Sequence, residues 1–320
     1  MNQMQPTRVG RGELSDLKQT WSLERGRVDI YEVVTNQILA SIEQGVVPWQ
    51  SPSIARVGYP RNFLTKKPYS GINVFLLGVQ EFQSPHFLTF RQALELGGNV
   101  RKGEKGFHIV KVGIWNKPED TSEEKTEERR FLRLYTVFNA CQIDGISFPE
   151  PPKCEAFTVT VQTANARRIV AEMPQRPVIH EGRKSYPHYL PEDDMVEMPS
   201  RESFRSEWRF YKTLFHELAH ATGHEKRLDR PSLTENRGRY AVGEDRKTYC
   251  LEELVAEMTA AFVGASVGMV EEGFENNAAY LQGWLSMLKV KDNRTWLVKA
   301  ASEAQKAADF ILGAKPYSET

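Results

Sequence analysis

The sequence has no excess of charge of either sign, because 42 lysines and arginines balance 42 aspartates and glutamates over 320 residues. This neutrality excludes a wholly basic nucleic-acid coat and an acidic disordered tail. Apolar residues make up 40% of the chain, enough for a packed core, which excludes disorder throughout. The length corresponds to about two domains.

Cysteine is scarce and long apolar runs are missing. The three cysteines form no CxxC pair, which excludes a disulfide framework and a cysteine-rich zinc module and fits a reducing compartment. The longest uncharged apolar stretch, residues 258–270, is too short to cross a bilayer. The first residues lack the apolar core of a signal peptide. We therefore expect a soluble, cytoplasmic protein without a membrane partner.

The first half of the chain alternates short helical and extended patterns. Residues 1–28 are polar and predict a flexible tail. Residues 29–148 predict a small domain, interrupted at about 116–130 by a charged insert that is typical of a disordered hairpin tip. Its elements are predicted as helices at 29–44, 69–80 and 89–96 and strands at 107–115 and 131–139.

The second half is mainly helical. A proline-rich linker at 149–154 precedes it, because prolines disfavour both helix and central strand. Residues 155–320 predict a second domain with short extended pieces. Its helices are predicted at 163–173, 203–223, 248–268 and 275–312. The predicted fold class is α+β, a small α+β domain followed by a mainly helical one.

An HExxH motif lies in one of these helices. Aromatic and aliphatic residues from Phe204 to Thr222 recur at helical spacing, so His216 and His220 project together from one face, one turn apart. This spacing suits two ligands of one tetrahedral zinc ion. Glu217 is not a natural third ligand, since adjacent helix positions diverge, but it suits the base that accepts a proton from water.

A catalytic zinc site needs a third protein ligand. The longer pattern HExxHxxGxxH would require a histidine where Lys226 stands, so we expect a glutamate from the helix at 248–268. Glu253 and Glu257 share one face of it. Glu253 begins the ExxA step typical of gluzincins and is the preferred ligand. Glu257 is the alternative, and otherwise is expected to hydrogen-bond a ligand histidine.

The remaining side chains near this motif receive weaker predictions. Glu252 is expected to point away from the metal and to be solvated. Tyr240 and Tyr249 are candidate donors to the oxyanion of a transition state, with ordinary packing as the alternative. The ligand set predicts one zinc ion per chain and would also accept other divalent metals.

A basic window lies inside the first half. Residues 56–117 hold ten cations and three anions, a net charge of +7, with aromatic residues among them. A positive groove with stacking rings is typical of single-stranded DNA binding without sequence preference. The candidate stacking residues are Trp49 and Tyr69. The candidate phosphate contacts are Lys66, Lys67, Arg101, Lys102 and Lys105.

Other features of this half predict structure rather than binding. Phe75, Phe90 and Phe107 lie in periodic segments and are expected in the core. The turn at 97–106 lacks the Lys-Ser/Thr ending of a phosphate-binding loop. No nucleotide cofactor is therefore expected.

Both halves resemble the ArdC family of plasmid antirestriction proteins, over about residues 29–312. In the second half the resemblance rests on Tyr211, the HELAHATGH run at 216–224, the RLDR run at 227–230 and the EELVAE run at 252–257. In the first half it rests on VPW at 47–49, KPYSGIN at 67–73, TFRQA at 89–93, GGNVRKGEKG at 97–106 and VFNACQ at 137–142.

This resemblance implies a function that composition and spacing do not. It implies a bacterial, plasmid-encoded protein with a single-stranded-DNA-binding domain and a zincin-like metallopeptidase domain, which protects incoming plasmid DNA from restriction during conjugation. The protein or peptide substrate is left unknown. Two alternatives stay open: a non-enzymatic DNA-masking protein with a structural or vestigial metal site, and a peptidase that cleaves a regulatory protein.

Overall fold

The structure is a computed structural model, and it describes seven ranges of the chain: 29–50, 56–80, 82–116, 128–150, 159–234, 244–269 and 278–314. The predicted tail at 1–28, the linker residues 151–154 and most of the charged insert lie outside these ranges. Within them the fold is α+β, as predicted, with a sheet in the first half and helices dominating the second.

The first half is built on a four-stranded sheet in the order β1-β2-β5-β4. Strands β4 and β5 form a long antiparallel hairpin, and β1 adds to the opposite edge parallel to β2. A two-stranded ladder of β3 and β6 lies beside it. The strands are β1 (Arg61–Asn62), β2 (His86–Thr89), β3 (Asn99–Val100), β4 (Phe107–Asn116), β5 (Glu128–Asn139) and β6 (Ile143–Asp144).

Three helices of this half begin where the sequence predicts them, within a few residues. They are α1 (Ile30–Glu43), α2 (Ile72–Gly78) and α3 (Phe90–Glu95). Asp29 caps α1 by accepting the Tyr31 N–H at 3.0 Å. Thr89 and Gln92 form a reciprocal capping box at α3. Each cap satisfies backbone donors that a helix start leaves free.

The described residues of the second half form six helices and a small three-stranded sheet. The sheet has the order β7-β9-β8, with β7 parallel and β8 antiparallel to β9. The strands are β7 (Val178–Glu181), β8 (His188–Leu190) and β9 (Met195–Met198). The helices are α4 (Val159–Glu172), α5 (Glu207–Thr222), α6 (Pro231–Thr234), α7 (Glu244–Ser266), α8 (Ala278–Leu288) and α9 (Trp296–Ile311).

The prediction of a single helix at 275–312 is wrong, because the chain forms two helices within this range. A 3-10 turn at Lys291–Asn293 separates α8 from α9. The buried Asn293 amide donates to the Met287 carbonyl at 2.8 Å. This bond satisfies a free carbonyl at the end of α8 and fixes the turn.

Both halves contribute to one large hydrophobic core. The Trp49 and Trp284 rings meet edge to face at 5.3 Å, and the Phe75 and Phe262 rings stack at 4.7 Å. The Tyr59 hydroxyl donates to the Phe262 carbonyl at 2.7 Å. The region after the linker therefore packs directly on the region before it. The domain limits predicted at 148 and 155 stay a prediction.

Candidate functional site

Helix α5 presents two histidines beside each other. Phe210, Leu214 and Phe215 bury one side of the helix in the core. The opposite side carries His216 and His220, whose Nε2 atoms lie 3.2 Å apart. The i, i+4 spacing therefore places both rings over one point, as the sequence predicts.

Helix α7 brings a carboxylate to the same point. Glu253 Oε2 lies 3.4 Å from His216 Nε2, and Glu253 Oε1 lies 3.5 Å from His220 Nε2. Metal–ligand bonds of about 2.0–2.2 Å in a tetrahedron place ligand atoms about 3.3 Å apart. All three separations are close to this value. Among the described residues, these three form the group whose donor atoms are gathered closely enough to hold a metal ion.

The side chains around this point shift one another's pKa values. Burial lowers the pKa of His216, but Glu253, Glu257 and Glu217 outweigh it and raise that pKa to about 9. Burial raises the pKa of Glu253, but both histidines outweigh it and hold that pKa below its usual value. Glu257 Oε1 lies 4.0 Å from His216 Nδ1, behind the ring, where the sequence placed it. These side chains therefore form a half-buried network of ion pairs.

Two other predicted residues lie next to this network. Glu217 is 6% exposed, and its charge acts on both His216 and Tyr249. Tyr249 is 52% exposed, and burial of its hydroxyl together with Glu253 raises its pKa to about 12. It therefore remains a protonated donor at neutral pH. Tyr240 lies outside the described residues.

Glu252 is buried, which corrects the expectation that it is solvated. It is 4% exposed, and its Oε1 lies 3.2 Å from His220 Nδ1. The Nε of Arg230 donates to its Oε2 at 2.8 Å. Burial opposes ionisation, but Arg230 and His220 together lower the pKa of Glu252. Glu252 therefore holds the ring of His220 from behind, on the side facing Arg230, about 100° around α7 from Glu253.

Gly223 makes room for Arg230. A Cβ at Gly223 would lie 2.9 Å from Arg230 Nη2. Arg230 also donates to Thr222 Oγ1 at 2.9 Å and to the Ala219 carbonyl at 2.8 Å, which satisfies the end of α5. The glycine after the motif and the arginine in the RLDR run are thus the sequence signals that could have identified Glu252.

The two predicted stacking residues both pack against other aromatic rings, and Trp49 is too buried to stack on a base. Trp49 is 4% exposed and packs between Phe75 and Trp284. Tyr69 is half-buried and meets Phe87 edge to face. Trp49 is therefore a core residue, and Tyr69 lies at the edge of a smaller cluster of the first half. Conversely Phe90, predicted in the core, is 49% exposed, since its short helix buries only Ala93.

The predicted phosphate contacts are exposed, but they differ in their partners. Lys66, Lys67, Lys102 and Lys105 lie on the surface, and the Lys66 ammonium sits 3.8 Å from the centre of the Phe63 ring. Arg101 bonds internally, with Glu104 at 2.8 Å, with Asp144 at 3.3 Å and with the Cys141 carbonyl. Arg101 therefore stabilises its own loop.

The hairpin adds cations that the sequence reasoning did not select. Lys111 and Arg133 face each other across β4 and β5, and both are exposed. Arg133 also covers the Phe131 ring at 4.9 Å. Tyr135, two residues along the same face, is 38% exposed. Like charges directly opposite repel, and no acidic side chain of the described residues pairs with either cation. This face therefore favours an anionic partner.

No helix in the described ranges is long and apolar enough to cross a membrane.

Comparisons with known proteins agree with both halves. A family model of the N-terminal domain of anti-restriction factor ArdC matches residues 28–138. A model of a zincin-like metallopeptidase matches residues 164–303.

Two solved structures resemble the whole chain. The metal-free crystal structure of antirestriction protein ArdC from plasmid R388 is 36% identical, with a TM-score of 0.69 over 89% of this chain and 97% of that one. The Mn(II)-bound structure of the same protein is 34% identical, with a TM-score of 0.68 over 91% and 100%.

Two curated relatives cover most of the chain as well. Protein y4eC of Sinorhizobium fredii (strain NBRC 101917 / NGR234) is 32% identical over 300 residues, 88% of this chain and 91% of y4eC. DNA primase TraC of Escherichia coli is 31% identical over 304 residues, which are 88% of this chain and 20% of TraC. The chain belongs to the ArdC antirestriction family, with an ArdC-type N-terminal domain followed by a zincin-like metallopeptidase domain.

Proposed function

We propose that this protein binds single-stranded DNA through its first half, protects incoming plasmid DNA from restriction during conjugation, and carries a zinc-dependent peptidase in its second half. The observation that carries the peptidase proposal is the set of three donor atoms of His216, His220 and Glu253, spaced 3.2–3.5 Å apart. This arrangement leaves a fourth tetrahedral position for water or substrate. The cytoplasm is the compartment where such DNA arrives.

Zinc is the metal that this ligand set favours. Two imidazoles and one carboxylate in a tetrahedral array suit zinc better than magnesium or calcium, which prefer oxygen ligands. The Mn(II)-bound structure of a relative supports a divalent metal ion as a ligand of such proteins. We propose one zinc ion bound by these three ligands. A zinc ion held by these residues would supply Lewis acidity toward water and a peptide carbonyl.

Side chains around the proposed metal site perform the other steps of peptide hydrolysis. Glu217, buried beside the ligands, accepts the proton of the attacking water. The Tyr249 hydroxyl, protonated and next to Glu253, donates to the oxyanion that develops on the substrate. Glu252 fixes the His220 ring through Nδ1, and Glu257 faces Nδ1 of His216. The substrate is a peptide or protein segment.

The DNA proposal rests on exposed cations and rings of the first half. Lys66, Lys67, Lys102 and Lys105 lie on the surface, and Lys111 with Arg133 adds a cationic pair on the hairpin. Phosphate contacts by such residues give binding that weakens with salt. Exposed Phe90 and Tyr135 take the stacking role first predicted for Trp49 and Tyr69.

The test separates the two activities. Glu217→Ala is expected to keep its zinc and its DNA affinity and to lose peptide hydrolysis. Protection of transferred DNA by wild type and by Glu217→Ala is then compared in a conjugation assay with a restricting recipient. Loss of protection in the variant supports a role for hydrolysis, and full protection favours DNA masking. Hydrolysis retained by Glu217→Ala would refute the role of this residue.

A further inference from the structure

A cavity of about 500 Å³ lies between helix α4, strand β7 and helix α5. Its wall includes three arginines: Arg167 on α4, Arg176 before β7 and Arg201 in the turn before α5. Glu181 is the one carboxylate among its described lining residues. Three guanidinium groups and one carboxylate leave the wall with a net charge of +2, which favours an anion in the cavity.

The cavity is separate from the HExxH centre. Tyr211 and Leu214 line it from helix α5. At about 100° per residue, these two side chains project from the side of the helix opposite His216 and His220. A ligand in the cavity would therefore contact the HExxH helix without touching the proposed metal ligands.

The three arginines differ in their partners. Arg201 binds Glu181 with two prongs, since its Nε and Nη2 each lie 2.9 Å from a carboxylate oxygen. The charge of Glu207 acts on Arg167 and Arg201, but Glu207 does not line the cavity and its side chain is 49% exposed, so water screens it. Among the described residues, no carboxylate forms an ion pair with Arg167 or Arg176. These two cations are therefore available to an anion.

The buried hydroxyl of Tyr211 also lacks an acceptor. Tyr211 is 1% exposed, and its oxygen lies 3.2 Å from Arg201 Nη1 and 3.5 Å from Arg167 Nε. Both nitrogens can only donate, so the oxygen accepts from them. No side chain or carbonyl in the described ranges accepts the hydroxyl proton. Because a buried hydroxyl ordinarily finds such a partner, the missing acceptor indicates a ligand in the cavity.

We propose that this cavity binds a small phosphate monoester. A phosphate group carries about −1.5 to −2 charges at neutral pH and three acceptor oxygens. These match the charge of the wall and the three donor groups of Arg167, Arg176 and Tyr211. Guanidinium groups bind phosphate with two parallel hydrogen bonds. The organic part of the ester would pack on the apolar part of the wall, which is formed by Val170, Ala171, Pro177, Ile179 and Leu214.

Calorimetric titration of the full chain with phenyl phosphate tests this site. Wild type is expected to bind the ester at neutral pH, whereas benzyl alcohol, which has the ring without the charge, should not bind. Arg176→Gln and Tyr211→Phe should each weaken binding about tenfold, because each removes a hydrogen bond to a charged group. Arg168→Gln removes an exposed arginine of α4 outside the cavity and should bind as wild type does.

Two further comparisons locate the ligand and identify its charge. His216→Ala/His220→Ala should bind phenyl phosphate as tightly as wild type, and loss of binding would place the ester at the zinc centre and overturn the proposal. Benzoate, with a single charge, should bind more weakly, and equal or tighter binding of benzoate would contradict a phosphate site. The proposal is also overturned if wild type binds no ester at millimolar concentration, or if Arg176→Gln and Tyr211→Phe bind it no more weakly than Arg168→Gln.

Discussion

His220 Nδ1 lies 3.2 Å from Glu252 Oε1, and Arg230 donates to both oxygens of the same carboxylate. The His220 ring, whose Nε2 is the proposed metal ligand, is thus oriented by a buried ion pair. Glu252 forms this pair with Arg230, in the loop after α5. The Glu252 carboxylate on α7 therefore contacts both the HExxH helix and this loop. A substitution of Glu252 should change both the free energy of unfolding and the metal affinity.

Glu252→Gln should weaken both properties. Removing the charge leaves Arg230, which is 3% exposed, without its counter-charge, and we expect a loss of about 3–5 kcal/mol in the free energy of unfolding. Zinc affinity should fall about 10–100-fold, because the ring loses its orienting partner. Urea unfolding of the metal-free protein and a chelator competition measure the two effects. The exposed Glu202→Gln is the matched control, and equal behaviour of the two variants would contradict this role.

Gly223→Ala should destabilise the protein through Arg230. The added Cβ would lie 2.9 Å from Arg230 Nη2 and 3.0 Å from its Cζ, and overpacking of this kind costs about 1–3 kcal/mol. Gly283→Ala in α8 is the control, since nothing lies within 4 Å of its Cβ and alanine favours the helix. The midpoint temperature of thermal unfolding should therefore fall for Gly223→Ala and stay the same or rise for Gly283→Ala. The reverse order would show that Arg230 can move without cost.

Zinc binding should release a proton at neutral pH. His216 is protonated in the metal-free site, because neighbouring carboxylates raise its pKa to about 9. That proton must leave when the ring binds zinc, so apparent affinity should rise about tenfold per pH unit up to pH 9 and then level off. Calorimetric titrations in buffers of different ionisation enthalpy measure the released proton.

Glu257→Gln provides the control for this pH dependence. Glu257 is among the charges that raise the pKa of His216, so the variant should bind zinc with less proton release at the same pH. Binding enthalpies that do not vary with the buffer, in wild type near pH 7, would contradict a protonated His216.

Lys111→Ala/Arg133→Ala should weaken single-stranded DNA binding and its salt dependence. Each lost phosphate contact lowers the slope of log K against log salt by about 0.7 for single strands, so the pair should lower it by about 1.4. Arg168→Ala/Arg183→Ala changes the net charge equally at exposed positions of the second half. Fluorescence anisotropy over a salt series compares the two, and equal slopes would place the DNA on another surface.

The sequence predicted that His216, His220 and Glu253 lie together, because helical periodicity sets which side chains share a face. His216 and His220 share a face at i, i+4 in any straight helix. The same periodicity put Glu253 and Glu257 on one face of α7, and the ExxA step then favoured Glu253. Glu252 was missed because its partner Arg230 is 22 residues away. An ion pair between a helix and a loop leaves no periodic pattern.

Burial of aromatic residues in irregular chain was the least predictable feature. Trp49 follows a proline in a 3-10 turn, and only its contact with Trp284, far along the chain, places it in the core. The prediction for Phe90 was wrong in the opposite direction, because Phe90 is exposed. Its helix has six residues and buries one side chain, that of Ala93. Tertiary packing determines whether each of these rings is buried, so the local sequence pattern cannot predict it.

Zinc content of Glu253→Ala, compared with Glu257→Ala, tests the central claim most directly. The account predicts that Glu253→Ala loses one equivalent of zinc relative to wild type, because Glu253 supplies the third donor atom of the HExxH centre. Glu257→Ala should keep it, since Glu257 stands behind His216. Unchanged zinc content in Glu253→Ala, with loss in Glu257→Ala, would contradict the assignment.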